Sequence, residues 1–499
     1  MATKRKIPSV MFSQHPDHVG KPYWHTKPLI ETRDELKECF LMMRDIGAEE
    51  VMWDWEGKLV DEAVMERLLG EHLSFFKKHP LGEKVFLTFR VPNPRVESGY
   101  RLGRAFMVIL SARESAEEAG LPRAPLFEVI LPMTESADEL LKLHTSFERF
   151  SKAAEYSFGQ KANGARPLEV IPLFERVETI FKSGSILDEY LTKYEKEFKR
   201  VPPYIRPFCA RSDPALNSGI VATTLAVKWA LSEYARFSKR TGIPTYPIIA
   251  PGSLPFRGGL TPQTTGEFLE EFSGMRTIVI QSAFRYDFPL VSVKKAIQTI
   301  IKTAPTTKTK LLPLGTGSDI ESIIPWFEKP YKDTVAKLTP FIQRVAGHIP
   351  KRRERMQHTG LFGYSRGVGG VQLPRAIGFT ASCYSLGLPP ELYGVGKGIE
   401  RARSEGKLGV VEELYIQFKP SIIHAGRFLR KESLRELGLS ELEKEIASIE
   451  AYVGETLGPK TKEEREHVLL SGKLIALMQK RKPLEKTIER MALLRKALG

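Results

Sequence analysis

Two hydrophobic patterns alternate along roughly the first 320 residues of this chain. One is a short apolar run bounded by polar or turn residues, which is typical of a buried strand. The other is a longer stretch in which apolar residues recur at helical spacing, as Leu36, Phe40 and Met43 do. Strands that alternate with helices favour a parallel sheet covered by helices.

The apolar runs provide eight strand candidates. They lie at about residues 49–53, 85–90, 127–132, 168–174, 204–209, 246–250, 277–282 and 310–314. The segments between them are long enough to return as helices, and eight such units favour a closed barrel over an open sheet. We therefore predict an α/β fold, a TIM-type (β/α)8 barrel elaborated with additional α-helices.

Beyond about residue 320 the chain reads as mostly helical. Residues 430–499 are charged helices with Leu and Ile stripes, a pattern that usually serves packing within a chain or between subunits. We predict two parts. A barrel core over residues 1–330 carries the active site, and a mainly helical C-terminal region over residues 331–499 packs on the barrel and at subunit interfaces.

Composition narrows the class of protein. No run of 18 apolar residues is present, so no membrane span is expected, and the N-terminal residues lack the apolar stretch of a secretory signal. The three cysteines, Cys39, Cys209 and Cys383, are widely spaced and form no CxxC pair. This favours a cytoplasmic protein without a disulfide framework or a cysteine zinc site.

The formal net charge of +15 suggests an anionic ligand. Acidic and basic residues are interleaved, and the densest basic run, Lys351-Arg-Arg-Glu-Arg355, is short. A nucleic-acid-binding protein usually concentrates its charge in one module, and no such module is present. A basic nucleic-acid-binding or scaffold protein is therefore the less favoured alternative to an enzyme acting on a small anion.

Charged residues end several of the predicted strands. Glu175 and Asp213 follow two apolar runs, and Arg90 and Arg285 follow two others. Because strand ends open onto the mouth of a TIM barrel, these side chains are expected to meet there. Two carboxylates suit Mg²⁺, and the arginines suit a small polyanion. An ion pair with an arginine is the alternative role for each carboxylate.

A glycine-flanked arginine is a second candidate for anion binding. Arg257 precedes Gly258 and Gly259, which allow close approach of the backbone to a ligand, and its guanidinium offers a fixed fork of donors. A surface arginine in a glycine turn is the alternative reading.

His15 stands before a proline, which should hold it extended, and it is a candidate general base. A structural histidine is the alternative. Asp54 and Glu56 follow another strand and suit either catalysis or charge pairing with buried arginines. The chain has no P-loop, no GxGxxG after an early strand and no Met-Lys-Met biotin acceptor. These absences disfavour ATP-driven carboxylation and NAD chemistry.

Taken together, these segments resemble phosphoenolpyruvate carboxylase of the short archaeal type. No single motif is specific, but their order and spacing are, and they cover most of the chain. The segments are Phe12-Ser-Gln-His-Pro-Asp17, Glu50-Val-Met-Trp-Asp-Trp-Glu-Gly-Lys58, Phe89-Arg90, Val170-Ile-Pro-Leu-Phe-Glu175, Arg211-Ser-Asp213, Phe256-Arg-Gly-Gly259, Gln281-Ser-Ala-Phe-Arg285, Gly360-Leu-Phe-Gly-Tyr-Ser-Arg366 and Leu373-Pro-Arg-Ala-Ile377.

The resemblance implies carboxylation of phosphoenolpyruvate by bicarbonate to oxaloacetate and phosphate, in a homotetramer that replenishes oxaloacetate. It implies that Glu175 and Asp213 hold Mg²⁺ or Mn²⁺ and that His15 is the base. The further site residues that it implies are Arg90 and Arg257 in catalysis and Arg285, Arg366, Gly258 and Gly259 in substrate binding.

This chain departs from the larger enzymes of the family in one loop. Their double Gly-Arg-Gly-Gly motif is represented here only by Arg257-Gly-Gly259, and Arg285 and Arg366 are the candidates to replace the missing arginine. A different metal-dependent barrel enzyme acting on phosphoenolpyruvate or pyruvate, such as a lyase or mutase, is the alternative function.

Overall fold

The computed structural model describes residues 5–56, 61–97, 99–121, 123–158, 167–354, 367–368 and 371–499. Within these residues, eight parallel strands close into a barrel in chain order. The strands are β1 Val10–Phe12, β2 Glu50–Asp54, β3 Phe86–Arg90, β4 Glu128–Leu131, β5 Glu169–Phe174, β6 Phe208–Ala210, β7 Ile248–Ala250 and β8 Thr277–Ile280. The predicted TIM-type barrel is confirmed.

Helices return the chain from each strand to the next. They are α1 Glu35–Leu41, α2 Val64–Lys78, α3 Gly99–Glu118, α4 Ala137–Phe158, α5 Val177–Phe198, α6 Ser212–Thr241, α7 Thr265–Glu271, α8 Ser282–Tyr286 and α9 Leu290–Thr303. The predicted apolar stripe on α1 packs into the core between the barrel and its helices, where Leu36 is 2% exposed. This core orients the strands so that their carboxyl ends share one mouth.

The predicted strand set contains one error and one omission. Seven candidates coincide with β2 to β8, but residues 310–314 form no strand. Pro313 lacks an N–H for a ladder, and the N–H of Leu312 donates to Ser232 Oγ at 2.9 Å instead. The missing strand is β1, which pairs with both β2 and β8 and so closes the barrel. Its three residues are too few to show a period.

Side chains fill the inside of the barrel. A cluster of buried apolar residues occupies it, namely Met11, Met52, Ile130, Ile171, Leu173, Phe208, Ala210, Ile248 and Val279. At the amino ends of the strands, the buried guanidinium of Arg206 donates to Glu50 Oε2 at 2.6 Å and to Glu128 Oε2 at 2.7 Å. The barrel is therefore packed and has no pore, and a ligand is accommodated at the carboxyl ends.

The C-terminal region is helical, as predicted. Its helices are α10 Thr316–Ala346, α11 Ala376–Ser385, α12 Val395–Ser404, α13 Leu408–Leu414, α14 Phe418–Gly426, α15 Lys431–Glu436, α16 Ser440–Val453, α17 Lys462–Gln479 and α18 Glu485–Arg495, with a ribbon of β9 Gly367–Val368 and β10 Val371–Gln372. Helix α10 spans residue 330 and packs along α6. Among the described residues, no helix is long and apolar enough to cross a bilayer.

Candidate active site

A cavity of about 300 Å³ opens at the carboxyl ends of the strands. Its wall includes five of the residues predicted from sequence, which lie after five different strands. They are His15, Arg90, Glu175, Asp213 and Arg257. The parallel barrel explains this convergence, because every strand end faces the same mouth.

Arg90 ends β3 and is held by two carboxylates. Its Nε donates to Asp54 Oδ1 at 2.8 Å, and its Nη1 lies 2.9 Å from Glu56 Oε2. Burial lowers the pKa of Arg90. The negative charges of Asp54, Glu56 and, more weakly, Glu175 raise it by more, so the pKa lies above its usual value. Asp54 and Glu56 therefore serve as charge partners of a buried arginine, one of the two roles that the sequence left open.

Glu175 follows β5 and lies two residues beyond Leu173. Side chains at this spacing point to the same side of a strand, so both residues line the cavity. Its Oε2 accepts the N–H of Met133 at 2.7 Å. Met133 has a φ of 51°, a left-handed conformation that side chains rarely adopt and that often occurs at functional sites. The bond orients one carboxylate oxygen of Glu175 from the neighbouring strand end.

Arg257 is a fully buried charge in the cavity wall, being 1% exposed. Its Nε donates to Ser212 Oγ at 3.0 Å, and its Nη1 donates to Asp17 Oδ2 at 3.1 Å. Two further acceptors are the backbone oxygen of Gly499, at 2.5 Å from Nη1, and Gln281 Oε1, which accepts from Nη2. Within the described residues, these bonds leave one of the five guanidinium donors, on Nη2, for a ligand.

The charge of Arg257 is only partly compensated. Burial lowers its pKa below the usual value, while Asp17 and, more weakly, Asp213 raise it. A buried cation in this state gains stability when an anion binds beside it. The predicted alternative, a surface arginine, does not describe Arg257.

Glycines shape the loop around Arg257. Gly258 and Gly259 have φ values of 119° and 73°, which favour glycine. A Cβ on Gly252 would lie 2.7 Å from Arg257 Cζ, so only glycine fits beside the guanidinium. Gly258 and Gly259 line a second cavity of about 570 Å³ behind the loop and do not line the first one. They act on the first cavity through the shape of the loop.

A third predicted substrate residue, Arg285, is also not found in the cavity wall. Arg285 turns its donors to the carbonyl oxygens of Ser13 and Ile280, at 2.9 and 3.0 Å, and to Glu38 Oε1 at 3.1 Å. These bonds hold the segment that leads to His15. Arg366 lies outside the described residues.

His15 lines the cavity after β1. Its Nδ1 is 2.9 Å from Ser13 Oγ, and its carbonyl oxygen accepts Ser282 Oγ at 2.7 Å. The ring and the backbone of His15 are therefore both held, by one neighbour in sequence and one from α8. This arrangement fixes the imidazole at the rim of the site.

Some residues in the site were not assigned from the sequence. Arg211 and Arg375 line the cavity, and Asp17 accepts Arg257 with a fully buried carboxylate. Within the described residues, Arg211 Nε and Nη1 are buried without a hydrogen-bond partner, and burial lowers the pKa of Arg211. Both arginines stand in segments that carry the family resemblance, so their motif position was the available signal.

Part of the densest basic run belongs to this cavity. Lys351, Arg352 and Arg353 line it, and Arg353 forms ion pairs with Glu35 at 2.9 Å and Glu38 at 2.5 Å. Because Arg352 and Arg353 are buried, these two arginines do not contribute to an exposed basic patch for nucleic acid.

Carboxylate oxygens suit a hard divalent cation, and Glu175 and Asp213 follow the neighbouring strands β5 and β6. Among the described residues, no cluster of three or more His, Cys, Asp or Glu side chains with metal-binding geometry occurs. A two-carboxylate site remains consistent with Mg²⁺, which commonly takes its other ligands from water and substrate oxygens.

Comparison with known proteins agrees with this geometry. A family model described as phosphoenolpyruvate carboxylase matches residues 7–499. The phosphoenolpyruvate carboxylase of Leuconostoc mesenteroides is 37% identical over 506 residues, covering 100% of each chain. That of Pyrococcus horikoshii is 39% identical over 450 residues, covering 88% of this chain and 92% of its own.

Among solved structures, a lead(II) complex of Haloferax volcanii malate synthase is similar with a TM-score of 0.36 and 14% identity, covering 68% of this chain and 86% of its own. That likeness is too low to support an argument. The full-length match to the family model and the relatives above 30% identity are sufficient by themselves. This chain belongs to the phosphoenolpyruvate carboxylase family of carboxy-lyases.

Proposed function

We propose that the chain carboxylates phosphoenolpyruvate with bicarbonate, giving oxaloacetate and inorganic phosphate. The observation that supports this most is the partly compensated guanidinium of Arg257 in one cavity with Glu175 and Asp213. A polyanionic substrate and the anionic intermediates of this reaction need fixed positive charge in a site that excludes bulk water. The role of the enzyme is replenishment of oxaloacetate.

Glu175 and Asp213 are the proposed ligands of a divalent cation, Mg²⁺ or Mn²⁺. Family membership supports a metal requirement, and two carboxylates in one cavity fit it. The bound ion would supply Lewis-acid stabilisation of negative charge on the enolate oxygen and the phosphate. The N–H of Met133 holds the orientation of Glu175 before any cation arrives.

Arg257 and Arg90 are the proposed catalytic cations. Bicarbonate attacks phosphorus to form carboxyphosphate and the enolate of pyruvate, and both products carry negative charge beside these guanidinium groups. Arg211 and Arg375, which line the same cavity, are added as substrate-binding candidates in place of Arg285. Arg285 is proposed to position the segment from Ser13 to His15 through its bond to the Ser13 carbonyl.

His15 is the proposed base. It takes the carboxyl proton of carboxyphosphate, the C–O bond then breaks, and CO2 and phosphate are released. The enolate attacks CO2 to form the new C–C bond of oxaloacetate. Ser13, by holding Nδ1, keeps the ring in place for this transfer.

The apolar side of the cavity is proposed to keep CO2 and the enolate together. Met52, Leu173 and Phe208 belong both to the buried cluster inside the barrel and to the cavity wall. An apolar wall has no hydrogen bond to offer water, so it disfavours protonation of the enolate before it captures CO2.

We also propose a cytoplasmic homotetramer, following the family. All three cysteines are buried free thiols, which fits a reducing compartment. Tyr100, Tyr156 and Phe158 on α3 and α4 are 90, 93 and 63% exposed and offer apolar surface for subunit contact. Light scattering after size exclusion measures the mass directly.

The test of the function is oxaloacetate formation coupled to malate dehydrogenase. The assay contains phosphoenolpyruvate and Mg²⁺, with and without bicarbonate, and no added nucleotide. Turnover that requires both bicarbonate and metal supports the proposal. A folded protein that shows no such turnover contradicts it and favours a related lyase or mutase.

A further inference from the structure

The loop that carries Arg257 is held from two opposite sides. Its side chain is bonded to groups of the barrel mouth, including Asp17 and Ser212. Its backbone is held from the C-terminal region, where Glu391 Oε1 accepts the N–H of Phe256 at 2.7 Å. Glu391 lies in the short 3-10 helix Pro390–Leu392, far from Phe256 in sequence.

The N–H of Phe256 requires an outside acceptor. It lies in the first turn of the 3-10 helix Pro255–Arg257, whose leading N–H groups have no partner inside the helix. Pro255 has no N–H, so Phe256 presents the first donor of the turn. Glu391 thus supplies the acceptor for this turn from another part of the chain.

Glu391 is an unusual residue for its surroundings. Its side chain is fully buried, and its Oε1 also accepts the hydroxyl of Tyr384 at 2.7 Å. Within the described residues, its Oε2 is buried with no hydrogen-bond partner. Burial raises the pKa of Glu391, and the hydrogen bonds from Tyr384 and Phe256 lower it by less, so that the resulting pKa is about 7.

The titratable groups around Glu391 are themselves uncharged at neutral pH. Its charge acts on three tyrosines and a cysteine, namely Tyr331, Tyr384, Tyr393 and Cys383. An apolar side chain of the same size would avoid the cost of burying this carboxylate. An apolar side chain could not accept the N–H of Phe256, whereas the carboxylate does.

The hydrogen bond from Phe256 to Glu391 lies one residue away from Arg257. The ring of Phe256 is packed against Phe379, with centroids 5.6 Å apart. The next residue is Arg257, whose carbonyl accepts the N–H of Gly252 at 2.7 Å. Arg257 is thus tied to the Phe256 contact by its own peptide bond and to Gly252 by a backbone hydrogen bond, so a shift of Phe256 also moves the base of the Arg257 side chain.

We propose that Glu391 is a positioning residue for the carboxylation, which holds Arg257 in its catalytic place by accepting the N–H of Phe256. The inference rests on the proposed function, because it assigns Arg257 to the charged intermediates. It adds Glu391 to the residues of the C-terminal region, such as Arg375 and Gly499, that already contribute to the site. A charged group displaced by a fraction of an ångström loses much of its effect on a transition state.

The test compares Glu391→Gln, Glu391→Leu and the matched control Tyr384→Phe in the full-length enzyme. Glutamine keeps an acceptor oxygen for Phe256, leucine keeps only the volume, and Tyr384→Phe removes the other bond to the same oxygen. We expect Glu391→Leu to lose about tenfold or more in kcat/KM for phosphoenolpyruvate. Its Tm should be lower, because the N–H of Phe256 and the hydroxyl of Tyr384 lose their acceptor. Glu391→Gln and Tyr384→Phe should stay within about threefold of the wild type.

A pH profile supplies a second readout in case the leucine variant does not fold. Protonated Glu391 keeps an acceptor oxygen, as glutamine does, so the kcat/KM of the wild type and of Glu391→Gln should follow the same pH dependence around pH 7. Leucine activity within twofold of the wild type, glutamine activity as low as leucine activity, or a step near pH 7 in the wild type that is absent from Glu391→Gln would each overturn the proposal. A wild type without bicarbonate-dependent turnover instead overturns the proposed function, so the two failures are distinguishable.

Discussion

Arg257 and Asp17 form an ion pair inside the mouth of the barrel, with Nη1 3.1 Å from Oδ2 and both side chains at most 1% exposed. The other carboxylate oxygen of Asp17 accepts the N–H of Ala283 at 2.7 Å. The loops after β1, β7 and β8 are thereby joined at one point. The position of Arg257, the proposed catalytic cation, depends on a residue 240 positions away in the chain.

Asp17→Asn should therefore damage the site through Arg257. Removing one charge of a buried pair leaves the other uncompensated and costs about 3–5 kcal/mol. We expect a lower Tm and a loss of about 100-fold in kcat/KM. Asp188→Asn, which removes an exposed partner of Arg240, is the matched control and should change neither quantity. Equal behaviour of the two variants would argue against the role of Asp17.

Arg257→Ala should remove stabilisation of the charged intermediates. The expected loss is about 3–4 kcal/mol, on the scale of a missing oxyanion donor. Arg257→Lys should recover little, because an ammonium cannot reproduce the fork that reaches Ser212, Asp17 and Gln281 together. The measurement is kcat/KM for phosphoenolpyruvate. A loss below about tenfold would place Arg257 outside the reacting centre.

Asp213→Asn should abolish metal-dependent turnover in a folded protein. The amide carries no charge to hold a divalent cation, and Glu175→Gln should behave in the same way. Binding of Mn²⁺, followed by electron paramagnetic resonance, reports on the site apart from activity. Glu178→Gln, an exposed carboxylate three residues beyond Glu175, is the control. Near-normal turnover of Asp213→Asn at saturating Mn²⁺ would exclude Asp213 as a ligand.

His15→Asn should separate the two halves of the reaction. Phosphoenolpyruvate would still be cleaved in a bicarbonate-dependent manner, because phosphoryl transfer does not use the base. Without proton removal from carboxyphosphate, little CO2 forms, and pyruvate becomes the main product. Pyruvate and oxaloacetate are measured with lactate and malate dehydrogenases, with the exposed His79→Asn as control. An unchanged product ratio would exclude His15 as the base.

The ion pairs of Glu128 at the amino ends of the strands predict how the stability of the protein depends on pH. Burial alone would raise the pKa of Glu128, but Arg5 and Arg206 hold it at about 2, below an unfolded value near 4.5. The stabilisation is therefore fully present above about pH 4.5 and is lost as the pH falls towards 2, a term of roughly 3 kcal/mol.

Glu128→Gln should be less stable than the wild type at neutral pH, and the difference in the free energy of unfolding should shrink in acid. Urea titrations at several pH values measure both quantities. A difference that stays constant between about pH 5 and pH 3 would show that the carboxylate charge of Glu128 is not its source.

Much of the fold and part of the site followed from local sequence. The apolar runs that form β3, β5 and β6 predicted the strands themselves. They also predicted that the charged residues at their ends, Arg90, Glu175 and Asp213, lie in one cavity. The two errors were local as well. Strand β1 has too few residues to show a period, and 310–314 is apolar because Leu312 packs in the helical core.

The hydrogen-bond and ion-pair partners of each charged residue could not be predicted from local sequence. Arg285 follows β8 as plausibly as Arg90 follows β3, yet its donors turn to the Ser13 carbonyl and Glu38 and not to the cavity. Arg353 belongs to a run that looks like an exposed basic patch and is buried against Glu38. The sign of each charge was known, but its burial and its neighbours were not.

The sequence by itself determined the alternation of strands and helices, and with it the side chains that a parallel barrel must gather at its mouth. Periodicity and strand ends are properties of short segments, so they are legible without a structure. Only the tertiary structure decided that Asp17 and Glu391 hold the Arg257 loop and that the donors of Arg285 turn away from the cavity. Those outcomes depend on distance and burial between segments remote in the chain, because the strength of a charge interaction is set by its surroundings.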